Sequence, residues 1–314
     1  MFEGKTIPFM RYRNPAAIFS GVLLLVCFVS FFVNGLKYGL DFTGGTQMAV
    51  HYEAPPVLEE VRQSLVDAGF VNNEVVFYGT DQDVLIRVQA EAGTETSEET
   101  SSETAVKVMQ VLQATHGDDV NLESSSFVSS QVGDEMKEQG ILGMLVSLIM
   151  VMIYIAMRFQ FKFSVGAVAS LAHDSIITMG FFSITQMDFD LTVMAAVLAM
   201  IGYSLNDTIV VADRIRENFR LLRGSEPEEI IDISVTQTLI RTLITSFTTL
   251  LVLLALFFFG GQAVYGFSVA LIVGVVIGTY SSIYVAATTL VYMNISKQDM
   301  MPPVKRQEEL DAVP

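Results

Sequence analysis

Residues 202–208 read Gly202-Tyr203-Ser204-Leu205-Asn206-Asp207-Thr208, and this polar stretch lies inside the apolar run 191–211. At 1.5 Å per residue of helix, the run is long enough to cross a bilayer. An acidic side chain at the centre of such a helix costs about 2.5 to 3.5 kcal/mol. We therefore expect Asp207 to face a polar interior, to titrate, or to pair with a cation.

The composition places the rest of the chain in a membrane as well. Of the 314 residues, 51% are hydrophobic and 17% are charged, and the mean hydropathy is +0.49, which is typical of a polytopic α-helical membrane protein. The apolar runs predict six transmembrane helices, at 15–35, 138–157, 163–184, 190–212, 237–259 and 264–292. The other segments are an N-terminal tail, an outer domain, a basic loop and a C-terminal tail, at 1–14, 36–137, 213–236 and 293–314.

The charge distribution predicts the orientation. The net charge of −16 is concentrated in residues 37–137, which hold eighteen acidic and five basic residues. Clusters of Lys and Arg flank the helices on the opposite side, which the positive-inside rule makes cytoplasmic. Both termini are then cytoplasmic, and the acidic domain lies in the periplasm of a bacterial inner membrane. Such a charge balance argues against a nucleic-acid partner and fits a solvated domain away from the anionic cytoplasmic leaflet, while the apolar helices take membrane lipid as their partner.

The outer segment has the pattern of a small folded domain. Strand and helix periodicities alternate in the order β-α-β-β-α-β, with strands at 46–52, 75–78, 84–88 and 126–128 and helices at 57–68 and 104–114. This order suggests an α+β ferredoxin-like sandwich. The Ser/Thr/Glu-rich insert 91–103 has no periodicity and is predicted to be a solvated loop.

Arg241 is the candidate cation for Asp207. Asp207 lies sixteen residues from Leu191 and Arg241 eighteen residues from Phe259, about 24 and 27 Å along their helices. The two side chains could meet in the cytoplasmic half of the membrane. A structural ion pair, or an Arg241 that reaches the interface, is one interpretation, and a carboxylate that titrates in a proton pathway is the favoured one.

Other polar groups extend or compete with this hypothesis. His173-Asp174 sits near the middle of the third predicted helix, either as a hydrogen-bonded pair that orients helices or as part of the proton route. Asn206 and Asp213 share a neighbouring helix face and are further candidates. Two intramembrane aspartates also occur in aspartyl proteases, but the sequence contexts here are unlike theirs.

The remaining motifs predict packing rather than chemistry. Gly44 and Gly45 are expected to form a turn or hinge between the first helix and the outer domain, and Gly274 and Gly278 form a helix-packing motif. The single cysteine, Cys27, and the three histidines show no metal-ligand spacing, and no nucleotide-binding loop occurs. We therefore expect no enzyme activity, no metal and no cofactor, with protons as the coupling ion.

Several stretches together resemble a known family. They are Gly39-Leu40-Asp41-Phe42-Thr43-Gly44-Gly45-Thr46, Tyr154-Ile155-Ala156-Met157-Arg158-Phe159, His173-Asp174, and the segment from Ile201 through Asp207 to Asn218. The resemblance is to the SecD/SecF family of bacterial protein-export membrane proteins, in the resistance-nodulation-division (RND) superfamily. It spans the chain from the first helix to the last. Ala212 departs from the family pattern, where an aromatic residue is expected before Asp213-Arg214.

The resemblance implies a fold and a task. The fold is a six-helix half of an RND-type transporter with one periplasmic domain after the first helix. The task is to promote preprotein export through the SecYEG channel after the SecA-driven step, together with SecD, using the proton gradient; YajC is a further candidate partner. The resemblance also implies that Asp207 and Arg241 belong to the proton pathway, and that the other half of the pathway comes from a partner.

Two other functions stay open from the residues alone. One is a half-transporter that exports a small molecule or a lipid through the bundle. The other is a passive scaffold subunit of a membrane complex, in which the charges only hold the helices together.

Overall fold

The computed structural model describes residues 6–89, 98–117, 119–158, 160–222, 224–296 and 299. Within these residues, six helical segments are long and apolar enough to span a membrane, as the sequence predicts. The first five are α1, α5, α6, α7 and α8, at Arg13–Val33, Ser130–Arg158, Phe161–Thr185, Leu191–Leu221 and Pro227–Phe259. The sixth consists of α9, a π-helical turn and α10, at Gln262–Ser281, Ser282–Ala286 and Ala287–Tyr292.

The fourth and fifth spans extend well beyond the predicted membrane segments. The loop predicted at 213–236 is wrong for most of its length, because α7 continues to Leu221 and α8 already begins at Pro227. Proline suits the first turn of a helix, and Glu228 and Glu229 in that turn complement the helix dipole. The extended parts of α7 and α8 also contact each other, since the Arg214 guanidinium donates to Gln237 Oε1 at 2.6 Å.

The segment between α1 and α5 forms a separate α+β layer. The chain passes through a one-turn helix α2, Leu40–Thr43, and then shows the predicted β-α-β-β-α-β order. The elements are β1, α3, β2, β3, α4 and β4, at Gly45–Tyr52, Leu58–Asp67, Asn73–Tyr78, Thr80–Gln89, Glu98–His116 and Val120–Val128. All strand pairs are antiparallel, and the order across the sheet is β2-β3-β1-β4.

The core of this layer explains where its helices lie. Alternate residues of β1, among them Met48 and Val50, are fully buried and pack against Val61 of α3 and Val108 of α4. Both helices therefore cover one face of the sheet, as a hydrophobic-in pattern on a half-buried strand requires.

The insert predicted as a loop at 91–103 needs correction in its second half. Helix α4 begins at Glu98, so residues 98–103 are helical, while 91–97 lie outside the described residues. The buried Ser101 hydroxyl lies 2.9 Å from Thr46 Oγ1 on β1, and Ala105, Val108 and Leu112 continue the same buried face. Tertiary burial thus extends the helix into a stretch that has no apolar periodicity of its own.

The layer is tied to the helix bundle through the loop between α6 and α7. Phe189 N donates to Lys37 O at 2.7 Å, and Gly39 N donates to Phe189 O at 2.9 Å. The Asp41 carboxylate accepts from Leu191 N at 3.1 Å, and Lys37 forms an ion pair with Asp188 at 2.7 Å. These contacts fix the position of the chain just before β1.

Gly44 and Gly45, the predicted hinge, lie directly after this tie. Gly44 ends α2 at φ +73°, and Gly45 begins β1 at φ +144°, where it pairs with both neighbouring strands. A Cβ atom on Gly45 would lie 2.3 Å from Val88 O, so the backbone of β3 leaves no room for a side chain. Positive φ and close backbone approach account for these glycines, and their role as a hinge stays a prediction.

Inside the bundle, α9 approaches α7 at Gly274 and Gly278. A Cβ atom on Gly274 would lie 2.2 Å from Met200 Cγ, and one on Gly278 would lie 3.1 Å from Ser204 Oγ. Gly180 gives α6 the same close approach to Cys27 on α1. Small residues at these contacts are the usual means by which membrane helices pack closely.

Candidate proton site in the membrane

Helix α7 places Asp207 in the interior of the bundle. Asp207 is only 3% exposed, and its Oδ2 atom has no hydrogen-bond partner among the described residues. Two hydroxyls close in sequence to Asp207 and Arg241, Thr208 Oγ1 on α7 and Thr242 Oγ1 on α8, are also buried without a partner among the described residues. A buried carboxylate oxygen without a partner is costly, which marks this part of the bundle as a candidate functional site.

Arg241 lies on α8, the helix that packs beside α7. A direct ion pair between them was expected from their matched depths. Among the described residues no ion pair within 4.0 Å joins the two groups, and Arg241 is exposed on the outer surface of the chain. Depth counting placed Asp207 and Arg241 on two helices that are in contact, but it did not give the rotation of α8, which turns Arg241 outward.

Asn206 and Asp213 are also exposed, on the outer face of α7. This face and Arg241 on α8 present polar groups where a membrane-spanning helix normally presents apolar ones. Exposure of an ionised side chain to hydrocarbon is costly, so protein or water has to cover this face.

Asp174 on α6 is the most completely satisfied carboxylate in the described bundle. It is fully buried, and its Oδ2 atom accepts from Ser204 Oγ of α7 at 2.6 Å and from Ser281 Oγ of α9 at 2.7 Å. Its Oδ1 atom lies 3.0 Å from His173 Nδ1. One carboxylate therefore joins three helices.

The serines around Asp174 are hydrogen-bond partners that the sequence did not reveal. Ser204 and Ser281 lie in different apolar runs, and Ser170 extends the network by donating to Ser281 Oγ at 2.9 Å. Single serines are frequent in membrane helices, so only their convergence on one carboxylate distinguishes them. The packing of Gly278 against Ser204 is the one sequence signal close to this network.

A second grouping missed from the sequence lies in the α+β layer. His51 Nδ1 is 2.6 Å from Asp83 Oδ1 on β3, and the ligand atoms of His51, Asp83 and Glu123 lie within 4.8 Å of one another. Strand register brings them together, helped by a bulge in β4 opposite Ala49 and Val50. The Asp83 hydrogen bond raises the pKa of His51, and the same bond lowers the pKa of Asp83.

Comparison with known proteins agrees with this architecture. The family described as "Protein export membrane protein SecD/SecF, C-terminal" matches residues 107–296, and "SecD/SecF GG Motif" matches residues 29–56, which include Gly44 and Gly45. Protein translocase subunit SecF of Pseudomonas aeruginosa is 48% identical over 299 residues, covering 95% of each chain. SecF of Vibrio alginolyticus is 45% identical, covering 99% of this chain and 98% of its own.

Solved structures show the same fold. The crystal structure of SecDF from Thermus thermophilus superposes with a TM-score of 0.78 at 34% identity over 93% of this chain. The present chain spans 39% of the length of that SecDF chain. A SecDF structure described as a super-membrane-facing form superposes with a TM-score of 0.66. Sequence coverage, family match and fold agree, and the chain belongs to the SecD/SecF family of protein-export membrane proteins, as a SecF subunit of the protein translocation machinery.

Proposed function

We propose that this subunit couples the transmembrane proton gradient to protein export, with Asp207 as its proton-binding group. The observation that carries the proposal is the buried Asp207 carboxylate whose Oδ2 atom has no partner, next to α8 and its Arg241. Binding a proton removes a charge from a low-dielectric layer, so it changes the balance of forces between α7 and α8. Each proton that crosses the membrane supplies about 2.3 kcal/mol per 100 mV.

The outward rotation of Arg241 supports a partner that completes the site. Asn206 and Arg241 would face lipid in an isolated chain, at a cost that a protein partner removes. In the Thermus relative a longer SecDF chain contains the matching region. We therefore propose SecD as the subunit that covers this face, with the preprotein and the SecYEG channel as further partners and YajC as an additional one.

We place both termini in the cytoplasm and the ferredoxin-like α+β layer in the periplasm. Basic residues at the ends of the spans support this orientation, and the net charge of residues 37–137 suits a domain away from the anionic cytoplasmic leaflet. The layer would then lie on the side to which exported chains emerge.

Export measured in inverted membrane vesicles tests the proton-binding role. We expect Asp207→Asn, assembled with SecD, to lose the part of preprotein export that depends on the proton gradient while keeping the ATP-driven part. Glu229→Gln is the matched control, because it removes the same charge from an exposed position at the start of α8. Full gradient-dependent export by Asp207→Asn would refute the proposal.

A double variant separates coupling from scaffolding. If the charges only hold the bundle together, Asp207→Asn combined with Arg241→Gln should assemble and export normally. We expect this variant to assemble with SecD but to show no response to the gradient.

A further inference from the structure

A cavity of about 370 Å³ lies between α1, α6 and the last span, away from the α7–α8 layer. At one end it is lined by Ala16, near the start of α1, and by Tyr292, at the end of α10. Its inner wall reaches His173, next to Asp174 in the middle of α6. The cavity therefore runs from one end of the bundle to the buried carboxylate network.

Two buried polar atoms belong to residues of the cavity wall. Within the part of the chain that the structure describes, His173 Nε2 and Thr288 Oγ1 have no hydrogen-bond partner, and the two residues are 4% and 5% exposed. Orphaned polar atoms of this kind usually bond to ordered water. A water molecule needs only about 10 to 15 Å³ of such volume, so the cavity has room for several.

The last span is irregular at this level. Its π-helical turn, Ser282–Ala286, separates Ser281, which donates to Asp174, from Thr288, which lines the cavity. Turns of this type inside α-helices frequently mark functional sites. The last span contributes both to the carboxylate network, through Ser281, and to the cavity wall, through Tyr280 and Thr288.

We propose that this cavity is a water-filled access path that connects the His173–Asp174 pair with the cytoplasm. His173 is part of the cavity wall, and its Nδ1 lies 3.0 Å from Asp174 Oδ1, which leaves Nε2 as the nitrogen free to take a proton. A hydronium ion in the cavity gives its proton to Nε2 and becomes water. The Nδ1–H proton then passes to Asp174 Oδ1, which leaves a neutral imidazole in the other tautomer and a neutral carboxyl group.

The other groups that face His173 are compatible with this transfer. On the last span the Tyr280 ring lies 6.2 Å from the imidazole, and Tyr284 lines the same cavity. The Tyr280 hydroxyl donates to Ala16 O at 2.8 Å and lies 2.9 Å from Ser20 Oγ. The α1 wall otherwise consists of Ala16, Ala17, Gly21 and Leu24, so no acidic side chain lines the cavity among the described residues, and Asp174 is the carboxylate in contact with His173.

Cysteine labelling tests the water content directly, because the chain has one cysteine, Cys27. In a Cys27→Ser background assembled with SecD, Ala172→Cys places a thiol on the cavity wall, and Leu145→Cys places one on the exposed apolar face of α5. We expect a charged methanethiosulfonate added from the cytoplasmic side to label Ala172→Cys about fifty-fold faster than Leu145→Cys, because a charged reagent enters lipid poorly.

Equal labelling of both sites by the charged reagent would overturn the proposal. Labelling of Ala172→Cys by neutral N-ethylmaleimide but not by the charged reagent would also overturn it, because that result indicates a dry or lipid-filled cavity. The transfer step has its own measurement, since His173→Asn should change the pH profile of gradient-driven export. An unchanged profile would overturn the role of His173.

Only the direction and use of this path rest on the proposed proton coupling. If Asp207→Asn exports normally while Ala172→Cys is labelled rapidly, the coupling site is wrong and the water-filled path stands. If the labelling fails while Asp207→Asn loses its gradient response, the water-filled path is wrong and the coupling site stands.

Discussion

Replacing Asp174 by alanine and by asparagine separates its structural contribution from a role in proton transfer. In Asp174→Ala, the hydroxyls of Ser204 and Ser281 lose their common acceptor. Hydrogen bonds between side chains in membranes contribute about 0.6 kcal/mol on average and at most about 1.7. These two are short, at 2.6 and 2.7 Å, and end on a carboxylate, so we expect the loss to approach the upper limit for each, about 2 to 3 kcal/mol in total.

Asp174→Asn is the matched comparison. Its single amide oxygen can take the place of Oδ2 between the two serines, and its NH2 group can then donate to His173 Nδ1, because the imidazole can adopt the tautomer that accepts there. We expect a loss of less than about 1 kcal/mol, since no buried hydroxyl is left without an acceptor.

Reversible unfolding of the full chain in mixed micelles measures both values. The midpoint of the denaturing detergent should fall clearly for Asp174→Ala and only slightly for Asp174→Asn. Equal stability of the two variants would refute the assignment of the serine hydrogen bonds as the main contribution. A stable Asp174→Asn that has lost gradient-driven export would show that the carboxylate also exchanges protons.

Three further predictions concern packing and pH. Gly274→Leu should lower the stability of the full chain by about 1 to 3 kcal/mol through overpacking, whereas Gly143→Ala, with no heavy atom near its added Cβ, should change it little when both are measured by thermal unfolding in detergent. The His51–Asp83 pair should stabilise the sheet most between the ordinary pKa values of aspartate and histidine, about 3.9 and 6.5. The pair raises the pKa of His51 and lowers that of Asp83. Its contribution is therefore lost as pH rises through the raised pKa of His51, and also as pH falls through the lowered pKa of Asp83. Hydrogen exchange of the β1 amides should therefore depend less on pH in His51→Gln, and an unchanged dependence would contradict the pair. Burial, and to a smaller extent a neighbouring carboxylate of the α6–α7 loop, raises the pKa of Glu74. The contact between the α+β layer and the bundle should therefore weaken as pH rises through that pKa. Glu74→Gln should remove this pH dependence, as measured by hydrogen exchange of the α6–α7 loop.

The six spans and the order of the α+β layer could be predicted because each depends on a local pattern. Apolar runs of bilayer length and alternating strands such as β1 carry their own signal. The helical extension of α7 and α8 could not be read in this way, since Ile230, Ile231 and Val235 are buried by tertiary contacts beyond the apolar run. Local polarity suggested a loop there, and packing formed a helix instead.

The carboxylates of the candidate site could be predicted from the sequence, but the groups that contact them could not. Asp207 and Asp174 stand out because an acidic residue in an apolar run is rare. Which groups face them depends on the rotation of neighbouring helices, which sets Arg241 outside and brings Ser204 and Ser281 to Asp174. A one-dimensional depth count contains no information on that rotation.

The short junction between β4 and α5 couples the movement of the sheet to the movement of a bundle helix. Only Ser129 separates the end of β4 at Val128 from the start of α5 at Ser130, and the 29 residues of α5 form one helix about 43 Å long. A tilt of this helix by about 10° about one end would displace the other end by about 7 Å over that length. Because a single residue offers little slack, such a tilt would carry the edge strand, and with it the sheet, as one rigid piece.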